Sequence, residues 1–239
     1  GVMIAGTTLG ARTKDVTDLM IKKGGLEEAS VIGYDKKLPL GAAAVVNGGL
    51  AHTLDYDDAV DASGIHATAS ALPAALVCCE YKGATGKELV EAVVAGADMV
   101  CRLGLASPKS IAEMGWLGPQ LKGAYGSAVA AGKALGFDEE KMINCIGLML
   151  QQTSGTSEVL DEGGNDCREL YQCYAQHHGL FAAELASIGI RGPKDSFEGK
   201  HGLFNQYFEG KGTTDYSMVD VDENSPWICS EATYKPWSS

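Results

Sequence analysis

The sequence predicts an all-α protein, a packed helical domain, on three observations. Apolar residues recur at three- and four-residue spacing in one segment after another. Two junctions, YKGATGKEL at 81–89 and ALGFDEEKM at 134–142, repeat one grammar, with a Gly placed to end a helix and a Thr or Asp two residues later placed to cap the next. Glycine is abundant, 31 of 239 residues, and much of the excess lies inside Ala-rich runs. These runs lack the Ser and Pro of flexible linkers, so their glycines predict close helix–helix approach.

The elements follow in order. Residues 38–54 contain no Asp, Glu, Lys or Arg and predict a buried helix. Residues 67–82 predict the next, stopped by Gly83, and 87–104 a third, entered through a capping box of Thr85 and Glu88. Residues 121–135, within the run GAYGSAVAAGKALG, predict a helix closed by Gly136; residues 139–154 follow from Asp138, and 167–189 form the last long run. Connections this short make antiparallel neighbours. From 190 the character changes to alternating Gly, Lys, Asp, Pro and aromatics, so residues 1–189 read as the helical core and 190–239 as its loop-rich end. The first residues begin in mid-pattern and KPWSS follows an apparent strand or turn, so the chain is expected to belong to a longer polypeptide.

Composition narrows the function. With 19 Lys plus Arg against 31 Asp plus Glu, the net charge of −12 argues against nucleic acid or an anionic membrane as partner, because phosphate binding needs clustered cations. The longest uncharged run holds Asn47, His52 and several glycines and falls short of a membrane span, and no secretory signal opens the chain. Seven cysteines, scattered and without a CxxC pair, read as free thiols in a reducing, cytoplasmic setting and give a structural zinc site little support. Cys173 and His177, one helical turn apart, read as packing rather than as half of a metal site.

Chemistry concentrates in residues 51–70, AHTLDYDDAVDASGIHATAS, four aspartates and two histidines in an otherwise aliphatic chain. Asp55, Asp57 and Asp58 fall at the C-terminal end of the predicted 38–54 helix, where anions facing the negative end of the dipole cost a few tenths to about 1 kcal/mol. A cation, a proton or solvation has to offset that cost.

Taken in order, NGGLAHTLDYDD at 47–58, His66 with the Leu72–Ala75 helix, GKELVEAVVAGADMVCRLG at 86–104, GAYGSAVAAGKALG at 123–136, HHGLFAAELASIGIRGPKDSFEGKHGLF at 177–204 and YKPW at 234–237 resemble the MmgE/PrpD family. The resemblance implies a large all-α domain followed by a smaller α+β lid, largely absent from this chain, in a homodimer. It implies a lyase, a dehydratase or decarboxylase, that uses no metal or organic cofactor and moves a proton beside a carboxylate of a small di- or tricarboxylate. Carried over residue by residue, it makes Asp55 and His66 the catalytic pair. Arg168 stands at a family Lys and Lys235 keeps the Lys before the lid; both become substrate-carboxylate ligands, Arg168 with a bidentate fork. Tyr171, on the helix face of Arg168, is a further pocket candidate, and Asp57 and Asp58 are expected to support the pair.

The chain also departs from the family pattern. Ala67 stands where Pro usually follows the His, Ala59 where a Thr is common, and Leu117, after Trp116, where the family often has another His. An epimerase or isomerase of the same family, acting on an iminodisuccinate-like substrate, needs two proton-moving groups on opposite faces of one carbon. A non-catalytic scaffold fits Leu117 and Ala59. A different class is spelled by Asp57-Asp58-Ala59-Val60-Asp61, the DDxxD of magnesium-dependent isoprenoid synthases, although no second acidic motif accompanies it. His52, His177, His178 and His201 read as structural.

Overall fold

Each run predicted as a helix forms one. The computed structural model describes residues 1–107, 111–208 and 214–235; Pro236 and Trp237 of the YKPW segment lie outside them. Helices α1 (Val2–Leu9) and α2 (Thr13–Lys23) precede a two-stranded antiparallel ribbon, β1 (Ala29–Ser30) with β2 (Lys37–Leu38). Then come α3 (Leu40–His52), α4 (Ala67–Lys82), α5 (Gly86–Ala106), α6 (Gly118–Ala134), α7 (Glu139–Leu150), the single turn α8 (Glu158–Asp161) and α9 (Cys167–Ser187). Those two-residue strands are the only strands among the described residues, and the fold is all-α. No described helix is long and apolar enough to cross a membrane.

Local chemistry sets the boundaries. Thr85 accepts from the Glu88 amide while the Glu88 carboxylate takes the Thr85 N–H, the capping box expected at the start of α5. Asp138 caps α7 through the Lys141 amide. Gly83 closes α4 at φ 66°, a left-handed conformation that suits glycine. Most ends fall within two residues of the predicted ones; the larger shifts are at α6, which starts three residues early because Pro119 fits its first turn, and α7, which stops at Leu150, ahead of Gly155 at φ 118°.

Helix α6 is the axis of the core, packed against α4, α5, α7 and α9 and buried along nearly its full length. Small residues permit this. A Cβ on Gly126 would lie 2.0 Å from Val100 Cγ2 and 2.9 Å from the Gly96 carbonyl, so α5 and α6 meet backbone to backbone. Helix α3 packs on α9 and α4, and this brings its C-terminal end beside the start of α4 and the first turns of α9.

Beyond α9 the chain runs through a π-turn (Phe204–Phe208) and two short 3₁₀ turns (Tyr216–Met218 and Ile228–Glu231). The last of these crosses α5 as a strap. The Asp98 carboxylate, on α5, accepts the N–H groups of Ile228 at 2.6 Å and Cys229 at 3.2 Å and pairs with the Arg102 guanidinium. Arg102 in turn donates to the carbonyls of Met218 and Pro226. Further on, Thr233 pairs with Ala59 through two backbone hydrogen bonds of 2.8 and 3.1 Å. This strap carries Lys235 to the acidic segment.

Candidate active site

The segment after α3 is folded by one uncommon turn. Asp55 has φ 57°, and its N–H returns to the His52 carbonyl at 2.7 Å. A non-glycine residue seldom adopts this left-handed conformation, although Asp tolerates it better than most. The turn reverses the chain so that Asp57 faces back onto His52. There the Asp57 carboxylate lies 2.8 Å from His52 Nδ1, both side chains 3% exposed. The Tyr171 hydroxyl, from α9, approaches the same nitrogen at 3.3 Å, and its ring lies 4.2 Å from the imidazole.

His66 stands at the entry to α4 and is partly open to solvent. Its Nδ1 is 3.0 Å from the Asp58 carbonyl, which can only accept, so Nδ1 donates there, and in the neutral tautomer the lone pair lies on Nε2. The carboxylate in contact with this ring is Asp57, at 3.7 Å, rather than Asp55. Asp58 points elsewhere: both its oxygens accept from the Thr68 amide in the first turn of α4, so it caps that helix from a distance.

Two cations answer the acids at the end of α3. Lys235 donates to the Asp55 carbonyl at 3.1 Å and stands 3.5 Å from the Asp55 carboxylate and 3.4 Å from that of Asp57. The Arg168 guanidinium holds Asp55 at 2.9 Å. The cost of anions at a helix C-terminus is thus offset by an ammonium, a guanidinium and an imidazole. Burial raises the Asp57 pKa, but the His52 hydrogen bond and the charges of His52, His66 and Lys235 outweigh it and hold the group below the ordinary carboxylate range. Asp58 moves the other way, pushed up by burial against the Thr68 bonds. Burial drives the Tyr171 phenol well above its ordinary value, which keeps it a neutral hydroxyl.

The structure therefore brings together Asp55, Asp57, His66, Arg168, Lys235 and Tyr171, and sets Asp58 aside as a cap. It also adds His52, which sequence reasoning assigned to structure because it closes an uncharged helical run; its five-residue spacing to Asp57 was the signal available. Among the described residues, His52, Asp55 and Asp57 have donor atoms within 4.8 Å of one another, with the Lys235 ammonium against both carboxylates. The three acids of the DDxxD pattern do not converge: Asp57 faces the histidines, Asp58 the α4 amide, and Asp61 is exposed. That removes the geometric basis of the isoprenoid-synthase reading. Leu117 is buried at the start of α6, and Ala59 is occupied in pairing with Thr233. Cys173 is buried where Gly49 of α3 meets α9, whereas His177 is exposed and stacks on Phe181. A groove of about 870 Å³, lined by Met99, Arg102, Phe197 and Tyr216 among others, includes none of the cluster residues.

Comparison with known proteins bears on this arrangement. Residues 1–215 match the MmgE/PrpD N-terminal domain. A cis-aconitate decarboxylase of Aspergillus terreus is 28% identical over 189 residues, 76% of this chain and 38% of that protein. A cis-aconitate decarboxylase-like protein of Aspergillus oryzae is 28% identical over 194 residues, covering 77% of this chain and 40% of its own length. The Homo sapiens cis-aconitate decarboxylase is 29% identical over 166 residues, 67% of this chain and 34% of that protein. The match thus spans about two fifths or less of these relatives.

Proposed function

The chain belongs to the MmgE/PrpD family, and from that premise we propose that its helical domain carries a lyase site for a small di- or tricarboxylate, acting by proton transfer beside a carboxylate. The observation that carries this reading is the pairing of an imidazole whose Nε2 is left available with two cations on one acidic cluster. A carbon next to a carboxylate is a weak acid, so its reaction needs a placed proton carrier and positive charge where negative charge develops.

In this reading Arg168 and Lys235 receive substrate carboxylates, and His66 Nε2 moves the proton. Asp57, with His52 behind it, keeps His66 oriented, while Asp55 holds the two cations in place until substrate arrives. Tyr171, neutral, fixes His52. In a dehydration the C–H pair becomes the double bond, His66 takes the proton, and hydroxyl leaves as water with a proton returned to it. In a decarboxylation the C–C bond to carbon dioxide breaks, its electron pair stays on the chain and is delocalised toward a remaining carboxylate, and His66, first protonated at Nε2 from solvent, delivers that proton to carbon. The relatives named cis-aconitate decarboxylases favour the second. We further propose a homodimer, as in the family, with no resident metal or organic cofactor.

The test is incubation in deuterated water with 2-methylcitrate, citrate, cis-aconitate and iminodisuccinate, read by mass spectrometry. Solvent deuterium incorporated into one of them or its product is expected, and is expected to fall by about 10²-fold or more in His66→Gln. Deuterium returned to unchanged iminodisuccinate with inversion would assign an epimerase instead. No exchange with any of the four, and unchanged binding in Arg168→Met, would leave a scaffold without this activity, the reading that Leu117 and Ala59 favour.

A further inference from the structure

A lysine of the core has no counter-charge among the described residues. Lys122 lies one turn into α6 and is 3% exposed. Its side chain runs back along the helix, as long helical side chains do, until Cε and Nζ stand 3.3 Å from the point that a Gly118 Cβ would fill. The partner it has is the Ser107 hydroxyl, at 3.2 Å, and that hydroxyl spends its own proton on the Gly104 carbonyl. An ammonium has three N–H donors, so one acceptor leaves most of its capacity unused. Among the described residues no carboxylate lies within 4.0 Å of it, and residues 108–110, next to Ser107 in the chain, read Pro-Lys-Ser and contain no acid.

The position is doubly unfavourable for a cation. Burial strips it of water, and the N-terminal end of α6 presents a positive dipole and orphan amides. One event relieves both: arrival of an anion. Burial alone, with no neighbouring charge contributing, pushes the Lys122 pKa down to about 8, which fits an ammonium whose one partner is a neutral hydroxyl.

We propose that Lys122, with the first-turn amides of α6, is a carboxylate-binding subsite, the seat of a second carboxylate of the polycarboxylate substrate. The inference rests on the functional reading above. The place also suits it: Gly123, the next residue, faces the Ser70 hydroxyl, which is bonded to the His66 carbonyl, and Gly104, bonded to Ser107, packs on Ser63 and Ile65 just before His66. Leu117, at the head of the same helix, supplies no charge; Lys122 does, from one turn further on.

Calorimetric titration of citrate and cis-aconitate near pH 8, in buffers of different ionisation enthalpy, tests this. A group near its pKa is half charged, so an anion that fixes the charged form draws in about half a proton per ligand. The wild type is expected to show that uptake. Lys122→Met, close in volume and free of charge, is expected to lose it and to bind at least tenfold more weakly. Equal affinity and equal proton uptake in Lys122→Met overturn the proposal. If Lys235→Met abolishes binding while Lys122→Met leaves it intact, the site stands and the Lys122 subsite falls. If the wild type binds neither ligand, both readings fall together.

Discussion

Asp98→Asn tests how the strap reaches the acidic cluster. Asp98 and Arg102 keep only 7% and 11% of their side-chain surface exposed, and the Asp98 carboxylate answers two backbone N–H groups besides the guanidinium. Asparagine keeps one acceptor but loses the charge and turns an amide donor toward the Arg102 donor. Hydrogen bonds to charged groups contribute about 1.5–3 kcal/mol each, and breaking a buried pair costs about 3–5 kcal/mol. A loss of roughly 3 kcal/mol in the free energy of strap opening follows, and at about 1.4 kcal/mol per tenfold that is roughly a hundredfold. Native-state hydrogen exchange reads it directly. The amides of Ile228, Cys229 and Thr233 should exchange about a hundredfold faster while those in the middle of α6 change little. Citrate affinity should fall with them, since the strap carries Lys235 to Asp55 and Asp57. Uniform acceleration across all helices, or unchanged protection at Thr233, would show that the ion pair stabilises the domain without setting the strap.

Two more outcomes follow from the core. Lys122 titrates near 8 when folded against 10.5 as a free side chain, so between those values the unfolded chain binds more protons and stability rises with pH. Lys122→Met should therefore be more stable than wild type near neutral pH, by up to roughly 3 kcal/mol, with the gap closing toward pH 10; urea denaturation at several pH values measures it, and a gap constant with pH would refute the assignment. Gly126→Ala, whose methyl would fall 2.0 Å from Val100 Cγ2 and 2.9 Å from the Gly96 carbonyl, should destabilise the chain by about 1–3 kcal/mol, and a thermal midpoint equal to wild type would contradict the close α5–α6 approach.

What could be read from the sequence was local. The capping box at Thr85 and Glu88, the Asp138 cap and the stop at Gly83 need only neighbours three or four residues away, and they placed the end of α4 and the starts of α5 and α7 closely. Helix α1 has no side-chain cap and carries no charge, so nothing local marked it; α2 enters through Arg12, an unusual capping residue. At the site, the acidic, histidine-bearing segment and the resemblance marked Asp55, His66, Arg168 and Lys235, but the partnerships among them are long-range. Asp57 rather than Asp55 meets His66 because the left-handed turn at Asp55 re-aims everything after it. Ala59 reads as a lost hydroxyl until its backbone is seen paired with Thr233, 174 positions away. Nothing local marks Lys122 as buried, since lysine seldom is, and only the packing of α6 shows it.

Charge balance decides which cation moves. On the proposed reading, a polycarboxylate must approach a chain of net charge −12 and a cluster in which Asp55 and Asp57 already engage Lys235 and Arg168. Lys235 is 12% exposed and bound by two carboxylates and a carbonyl, so withdrawing it leaves buried Asp57 short of a counter-charge. Arg168 is 55% exposed and holds Asp55 across a partly solvated gap, an ion pair of the kind that contributes between zero and about 1 kcal/mol. On that reading its fork can therefore turn onto a substrate carboxylate at little cost, while Lys235 meets the substrate without leaving Asp57. On the proposed reading, this exchange also frees Asp55, on a turn already held in an uncommon conformation, to accept a proton or hydrogen-bond the ligand. A carboxylate released by the arrival of the substrate it then contacts ties binding to the proton step, and a buried second cation at Lys122 would supply the positive charge that the exchange alone does not create.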